Sequence, residues 1–230
     1  MKIGIIGYGF VGKALEAGLN DNVKIIKIDP KLNTKVKDLK KFEPDALFIC
    51  VPTPMGENSS QDISILRKVV NEIKMLNLKA LIVIKSTILP NHIKEIENLI
   101  PDFVYNPEFL REKFANKDFI ESKLIIFGGV HNSCRILGKI YDDHTKCECN
   151  DYSYTDPISA SLIKYSINSF LATKVTFFNE LNQLFHESGA RDSWENFINT
   201  ISRDERIGKS HMQVPGPDGR FGFGGACLPK

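Results

Sequence analysis

The sequence predicts an α/β fold, a doubly wound parallel sheet followed by a long helical region, and three observations carry that expectation. Short apolar runs of strand length recur through the first 130 residues, helical stretches separate the early runs, and residues 158–188 contain neither Gly nor Pro. Strands that alternate with helices pair in parallel, because a right-handed crossover helix is the usual link between parallel neighbours. Helices then cover both faces of the sheet.

Taken in order, the strand-length runs lie at residues 2–6, 23–28, 46–51, 80–84, 103–105 and 124–127, each dominated by Ile, Val, Leu and Phe. Helical segments are expected at 11–19 and 62–76; in the second, Ile63, Leu66, Val69, Val70 and Ile73 recur at 3.6-residue spacing. Near residue 155 the rhythm changes. Thr155-Asp156-Pro157 reads as an N-cap followed by Pro at the first helical position, which predicts one helix over 157–187. Its apolar residues include Leu162, Tyr165, Phe170, Leu171, Val175, Phe178, Leu181, Leu184 and Phe185, too wide a band for one docking stripe. A helix apolar on several sides is buried on several sides, so this one reads as an inter-domain spine and a dimer surface. A short helix at 194–201 follows, and the chain is then rich in Gly and Pro from 208 to 230. The expected division is a nucleotide-binding domain over 1–155, a helical dimerisation region over 156–203 and a glycine-rich segment over 204–230.

Composition narrows the function classes. With 42% hydrophobic and 25% charged residues, the 230-residue chain is neither disordered nor fibrous. Its 30 basic and 28 acidic residues nearly balance, so no broad field points to nucleic acid or an anionic membrane as partner. The longest apolar run, 46–51, falls far short of the ~20 residues that span a bilayer, and Met1-Lys2 leads straight into the first strand without a secretory signal. A cytoplasmic, non-membrane protein is expected. Cys50, Cys134, Cys147, Cys149 and Cys227 are odd in number and irregularly spaced, as in a reducing compartment. Cys147-Glu148-Cys149 lacks the four ligands zinc requires and reads instead as a strand with alternating faces; no metal is expected.

Gly7-Tyr8-Gly9-Phe10-Val11-Gly12 is GxGxxG between a predicted strand and a predicted helix. The first glycine allows a tight turn, the second lets backbone approach a pyrophosphate, the third lets helix and strand pack closely, and the helix N-terminus attracts the anion. This is the dinucleotide fingerprint of a Rossmann-type sheet, with Phe10 and Val11 as backbone donors. Asp29 closes the second strand, where a carboxylate accepts from the adenosine ribose and disfavours a 2′-phosphate. NAD is therefore the expected cofactor, although Lys27 and Lys31 beside Asp29 leave NADP open. The third and fourth strands end in Val51-Pro52-Thr53-Pro54 and Lys85-Ser86-Thr87, at the carboxyl edge where such sheets bind ligands. Thr53 and Thr87 are candidate cofactor contacts; a plain strand-to-helix loop is the alternative.

Gly222-Phe223-Gly224-Gly225-Ala226-Cys227-Leu228-Pro229-Lys230 places a cysteine in backbone able to come close to a ligand. Together with GYGFVG, VPTP, KST, NPEFLRE at 106–112 and Lys164-x-x-x-Asn168, it resembles the UDP-glucose/GDP-mannose dehydrogenase family over essentially the whole chain. The resemblance implies two successive NAD-dependent oxidations at one sugar carbon of a nucleotide sugar, from the C6 alcohol of UDP-glucose or GDP-mannose to the uronate. It implies that Cys227 captures the aldehyde as a thiohemiacetal, converted to a thioester by the second oxidation. A thiolate is the stronger nucleophile near neutral pH, although an inert buried thiol is the commonest fate of a free cysteine. Lys164 and Asn168, four apart on one helix face, would stabilise an oxyanion at the sugar carbon. Glu108 and Thr87 match the family's water-handling pair, with Glu112 equally able to be the solvated residue of that pair. Glu108, Phe109, Leu110, Lys164, Asn168 and Gly224 are implied substrate contacts, and Arg206 matches an arginine that reaches the substrate of a neighbouring subunit in a homodimer.

Departures from the family pattern are informative. Ser161 replaces an acidic residue three before the lysine, Lys113 stands where a glycine is usual after LRE, and residues 214–220 lengthen the loop before Gly222. The family's Pro-Lys is followed by a catalytic Asp and a second domain holding much of the nucleotide sugar, whereas this sequence stops at Lys230. On this reading a separate chain would supply that domain, or the domain has been lost from this sequence. The alternative function is a module that binds NAD and dimerises without turnover.

Overall fold

The computed structural model describes residues 1–56, 60–224 and 228, so Cys227 lies outside the described residues. Two compact units divide the chain, Met1–Lys164 and Tyr165–Lys230.

The first unit follows the alternation read from the sequence. Strand β1 (Lys2–Ile6) leads to helix α1 (Phe10–Gly18), β2 (Lys24–Ile28), α2 (Leu39–Phe42), β3 (Ala46–Ile49), α3 (Ser64–Leu76), β4 (Leu81–Ile84), α4 (Pro90–Leu99) and β5 (Val104–Tyr105). Then come α5 (Ala115–Ile120), β6 (Ile125–Gly129), α6 (His131–His144) and β7 (Tyr152–Thr155). Among the described residues the strands form one sheet in the order β2-β1-β3-β4-β5-β6-β7. Pairing is parallel throughout except between β5 and β6. The β5–β6 link carries only the short α5, and an antiparallel step needs no crossover to the far end of the sheet.

Residues of opposite parity on one strand feed two separate cores. Ile3 and Ile5 of β1 pack with Phe127 of β6 and with Ala14, Leu15, Phe119, Leu137 and Tyr141, the buried faces of α1, α5 and α6. Ile6 joins Leu47 and Ile49 of β3 and Leu66, Val70, Ile93 and Ile96, the buried faces of α3 and α4. That period-two split is what a sheet covered on both sides imposes.

One local expectation is corrected. Cys147-Glu148-Cys149 forms no strand; the strand begins later, at Tyr152. The segment keeps alternating exposure, but the Lys146 N–H donates to Gly18 O at 2.7 Å and the Glu148 N–H to Ile120 O at 2.8 Å. Its donors therefore close the ends of α1 and α5 rather than a sheet ladder.

Helix α7 (Pro157–Glu187) starts where the Asp-Pro signal placed it. The Asp156 carboxylate accepts from the Ser159 N–H at 2.9 Å, which satisfies an N-terminal donor. In the second unit, Phe178 of α7 packs with Met212 and Val214, flanked by Leu181, Trp194, Ile198 and Ile201. Phe185 meets the rings of Trp194 and Phe197 on α8 (Trp194–Ile201) at 5.5 and 4.8 Å. No helix among the described residues is long and apolar enough to cross a membrane.

Candidate active site

The strand order reverses direction at β1, with β2 on one side and β3 on the other, and such a switch point opens a crevice at the carboxyl ends of the strands. The GxGxxG turn lies there. Gly7 has φ +87°, and a Cβ on it would fall 2.7 Å from the carbonyl carbon and oxygen of Cys50 at the end of β3. Around Gly9, by contrast, nothing lies within 4 Å of where a Cβ would sit. The protein's own packing thus demands the first glycine and leaves room at the second, as close approach by an external group requires. Phe10 and Val11 open α1 at this turn, with its positive dipole end facing the crevice.

Asp29 is pinned at the rim of the same turn. Its Oδ2 accepts from the Tyr8 N–H at 2.7 Å and its Oδ1 from the Lys31 N–H at 2.8 Å. Each carboxylate oxygen retains acceptor capacity for a ribose hydroxyl. The open turn, the helix N-terminus and this carboxylate fit a dinucleotide: Gly9, Phe10 and Val11 would hold its pyrophosphate and Asp29 its adenosine ribose.

The β3 and β4 loops are cross-braced. Thr53, 1% exposed, donates through Oγ1 to Thr87 O at 2.7 Å, and Gln61 donates to the same oxygen at 3.0 Å while accepting from the Leu89 N–H at 2.9 Å. Ser86 Oγ donates to Val51 O at 2.7 Å. Thr87 is thereby fixed beside the crevice through its backbone, and its hydroxyl is not needed as a helix cap, because α4 is entered at Leu89.

Beyond β5, the NPEFLRE segment turns back under the first turns of α7. Lys164 is 2% exposed rather than on a solvated helix face; its ammonium donates to the backbone oxygen of Glu108 and lies 4.8 Å from the Phe109 ring centroid. Glu108 is itself buried, its carboxylate accepting from the Leu110 N–H. Ser161, the departure from an acidic residue, is fully buried and donates to Ile88 O. A charge at that position would carry a desolvation cost that the neutral hydroxyl avoids. A cavity of about 20 Å³ adjoins Glu108, Asn106 and Lys85, room for a single water. Asn168 lies one helical turn beyond Lys164, in the second unit.

Three residues to which motif reading gave no role, two of them inside the KST and NPEFLRE motifs, support this corner. Lys85 closes β4 at 4% exposure, and its ammonium donates to Asn106 Oδ1 at 2.8 Å and to the Tyr141 hydroxyl at 3.3 Å. Tyr141 in turn donates to Asn106 Oδ1 at 2.7 Å, and Asn106 Nδ2 to Ile126 O at 3.0 Å. The network ties β4, β5, β6 and α6 together immediately before Pro107 and Glu108. Burial depresses the Lys85 ammonium below its ordinary range, with the neighbouring Cys50 and Glu108 acting in the opposite sense. Burial pushes the Cys50 thiol up to about 12 against the pull of Lys85. The signal available in the sequence was a lysine directly after Leu81-Ile82-Val83-Ile84, where a strand end is already inside the protein.

The other expected site residues are more dispersed. Glu112 and Lys113 line an open groove of about 410 Å³ with Phe10, Lys13, Phe114 and Lys117, at the start of α1 rather than beside Glu108. Arg206 is exposed, its guanidinium forked onto Asp204 at 2.6 and 2.9 Å. Gly224, like Gly9, has no described atom within 4 Å of where a Cβ would sit.

Comparison with known proteins agrees with this geometry. Residues 16–145 match the UDP-glucose/GDP-mannose dehydrogenase family, NAD binding domain, and residues 158–230 match its central domain. The UDP-glucose 6-dehydrogenase of Rickettsia bellii is 35% identical, the alignment taking in 100% of this chain and 61% of the relative. The Campylobacter jejuni UDP-glucose 6-dehydrogenase is 30% identical over 100% of this chain and 66% of its own. Among solved structures, a UDP-glucose dehydrogenase from Pyrobaculum islandicum superposes with a TM-score of 0.81 at 23% identity, covering 99% of this chain and 61% of that one. A ternary complex of GDP-mannose dehydrogenase from Pseudomonas aeruginosa gives 0.76 at 25%, over 100% and 62%. The chain spans about three fifths of the length of the relatives it matches first.

Proposed function

The chain belongs to the UDP-glucose/GDP-mannose dehydrogenase family, its first unit carrying the family's NAD-binding domain, and from that premise we propose that it serves the NAD-dependent oxidation of the C6 alcohol of a nucleotide sugar, UDP-glucose or GDP-mannose, to the uronate. The observation that carries this reading is the convergence at one sheet edge of an open glycine turn, a braced Thr53–Thr87 pair and a buried Lys164 held on the Glu108 segment. NAD bound at the turn supplies acceptance of a hydride from the substrate carbon.

The chain's residues account for the rest. Lys164 and Asn168 donate to the substrate oxygen as it gains negative charge, in a site where burial keeps the lysine's field unscreened. The thiolate of Cys227 adds to the aldehyde carbon, forming an S–C bond while the carbonyl oxygen takes up a proton. The thiohemiacetal carbon gives its hydride to a second NAD and becomes a thioester; water held by Glu108 and Thr87 then attacks it, the C–S bond breaks, the carboxylate leaves and the thiol is restored. Phe109, Leu110 and Gly224 would shape the sugar pocket. Leu162, Phe170, Phe177 and Leu184 on α7 are exposed, and we assign that surface to a two-fold partner, whose substrate Arg206 would reach.

The test is NADH formation with UDP-glucose and GDP-mannose, from the chain alone and with the remaining segment of a relative added in trans. Cys227→Ser should block net acid formation far more than the first hydride transfer, because a serine alkoxide is scarcely populated at neutral pH. Wild-type acid production by that variant would end the covalent mechanism.

A further inference from the structure

Tyr8, the variable residue inside GxG, joins two carboxylates. Its backbone N–H donates to Asp29 Oδ2 at 2.7 Å, and its hydroxyl donates to Glu16 Oε2 on α1. Glu16 Oε1 also receives the Lys27 ammonium at 3.1 Å, which lies 4.9 Å from the centre of the Tyr8 ring. Lys27 stands two residues before Asp29 on β2, on the same side of the strand by the period-two rule. Its ammonium is therefore suspended over a ring whose far end is Glu16 and whose backbone end is the carboxylate expected to hold the adenosine ribose.

We propose that Glu16 is a specificity-determining residue: by holding Lys27 in an ion pair at the hydroxyl end of Tyr8, it withholds the one β2 cation that would reach a 2′-phosphate and so enforces NAD over NADP. The proposal rests on the cofactor assignment above and extends it. Discrimination is a difference of two affinities, and it is built as much by removing attraction for the wrong ligand as by adding it for the right one. Asp29 repels a 2′-phosphate directly, and the Glu16–Lys27 pair cancels the charge that would compensate. Released from Glu16, the lysine stem can sweep across the Tyr8 ring toward Asp29, where the 2′ position lies. Lys27 and Lys31, which left NADP open on sequence alone, are in this way separated: Lys27 is engaged on the α1 side and Lys31 contributes its backbone N–H to Asp29.

The experiment titrates NAD+ and NADP+ into the chain by calorimetry at low ionic strength, for wild type, Glu16→Gln, Lys27→Gln and the double variant. Glu16→Gln should raise NADP+ affinity relative to NAD+ by roughly three- to fivefold, the size of one exposed ion pair, and added salt should erase the gain. The double variant should return to the wild-type ratio. Lys27→Gln alone should leave NADP+ affinity within about twofold of wild type, since the lysine is already withheld; a marked loss there would show Lys27 serving the phosphate and overturn the proposal, whether or not the Glu16 variants fold. An unmoved ratio in Glu16→Gln, or a gain that survives loss of Lys27, also overturns it. NAD+ binding with an unmoved ratio defeats this inference alone, whereas a wild-type chain that binds neither dinucleotide defeats the cofactor assignment as well.

Discussion

Asp29 carries two duties that a single substitution can separate. Its carboxylate holds the Tyr8 and Lys31 N–H groups and is the expected ribose acceptor. Asp29→Ala should weaken NAD binding by about 1.5–3 kcal/mol and also lower unfolding stability by about 1 kcal/mol, since two backbone donors lose their partner. Calorimetry and denaturant unfolding read the two losses independently; unchanged NAD affinity would remove Asp29 from the site. Lys85 gives a pH-dependent prediction. Its folded-state pKa is depressed by burial, so below that value the folded protein holds a desolvated charge at full cost. Between that value and the ordinary lysine pKa of about 10.4, the unfolded chain binds the proton that the folded one has released, and stability rises with pH by up to ~1.4 kcal/mol per unit. Lys85→Met, which leaves Asn106 Oδ1 with its Tyr141 donor, should abolish that rise and be at least as stable as wild type at pH 7. A gap between the two proteins that stays constant as pH rises up to the ordinary lysine pKa would contradict it.

Helix α7 shows what one capping residue contributes to an element and how far such elements are legible. The Asp156 carboxyl is held below its usual range by its hydrogen bonds to Ser159. A depressed carboxylate contributes stability above the ordinary aspartate pKa of about 3.9, and that contribution is lost as pH falls through the depressed value. Asp156→Ala should therefore cost about 1 kcal/mol at pH 7 and progressively less in acid, followed by unfolding midpoints across pH 2–7. This cap was readable because Asp-Pro before a long apolar pattern is a local signal. So were β1 to β4, each a short run rich in Ile, Leu, Val or Phe within one stretch of sequence. By contrast, β7, Tyr152-Ser153-Tyr154-Thr155, has no buried run to announce it, and its pairing with β6 is a long-range fact. The Cys147–Cys149 segment carried the right alternation but spent its backbone donors on the ends of α1 and α5. In the site, GxGxxG and Asp29 are local motifs and were visible. The Lys85–Asn106–Tyr141 network joins residues as much as 56 apart in sequence, and no spacing rule encodes it.

At the scale of the whole molecule, α7 carries large side chains that packing among the described residues leaves uncovered. Phe178 and Phe185 are spent on the small core with α8, at 2% and 8% exposure, whereas Phe170, Phe177 and Leu184 are 67%, 58% and 60% exposed. Those three recur every seven residues, so they form one seam along the helix rather than scattered apolar positions. Single exposed hydrophobes need no explanation, but an aligned row of large side chains marks an interaction surface. A two-fold axis is the simplest closure, because a seam of this kind is self-complementary when its copy is inverted against it. Sedimentation at micromolar concentration should then give twice the chain mass. Phe177→Glu, which places a charge at the centre of the exposed seam, should yield a monomer with its helix content and NAD affinity retained. A wild-type chain that sediments as a well-folded monomer would remove the dimer assignment, and with it any contact of Arg206 with a neighbouring substrate; NAD binding, confined to the first unit, would stand unaffected.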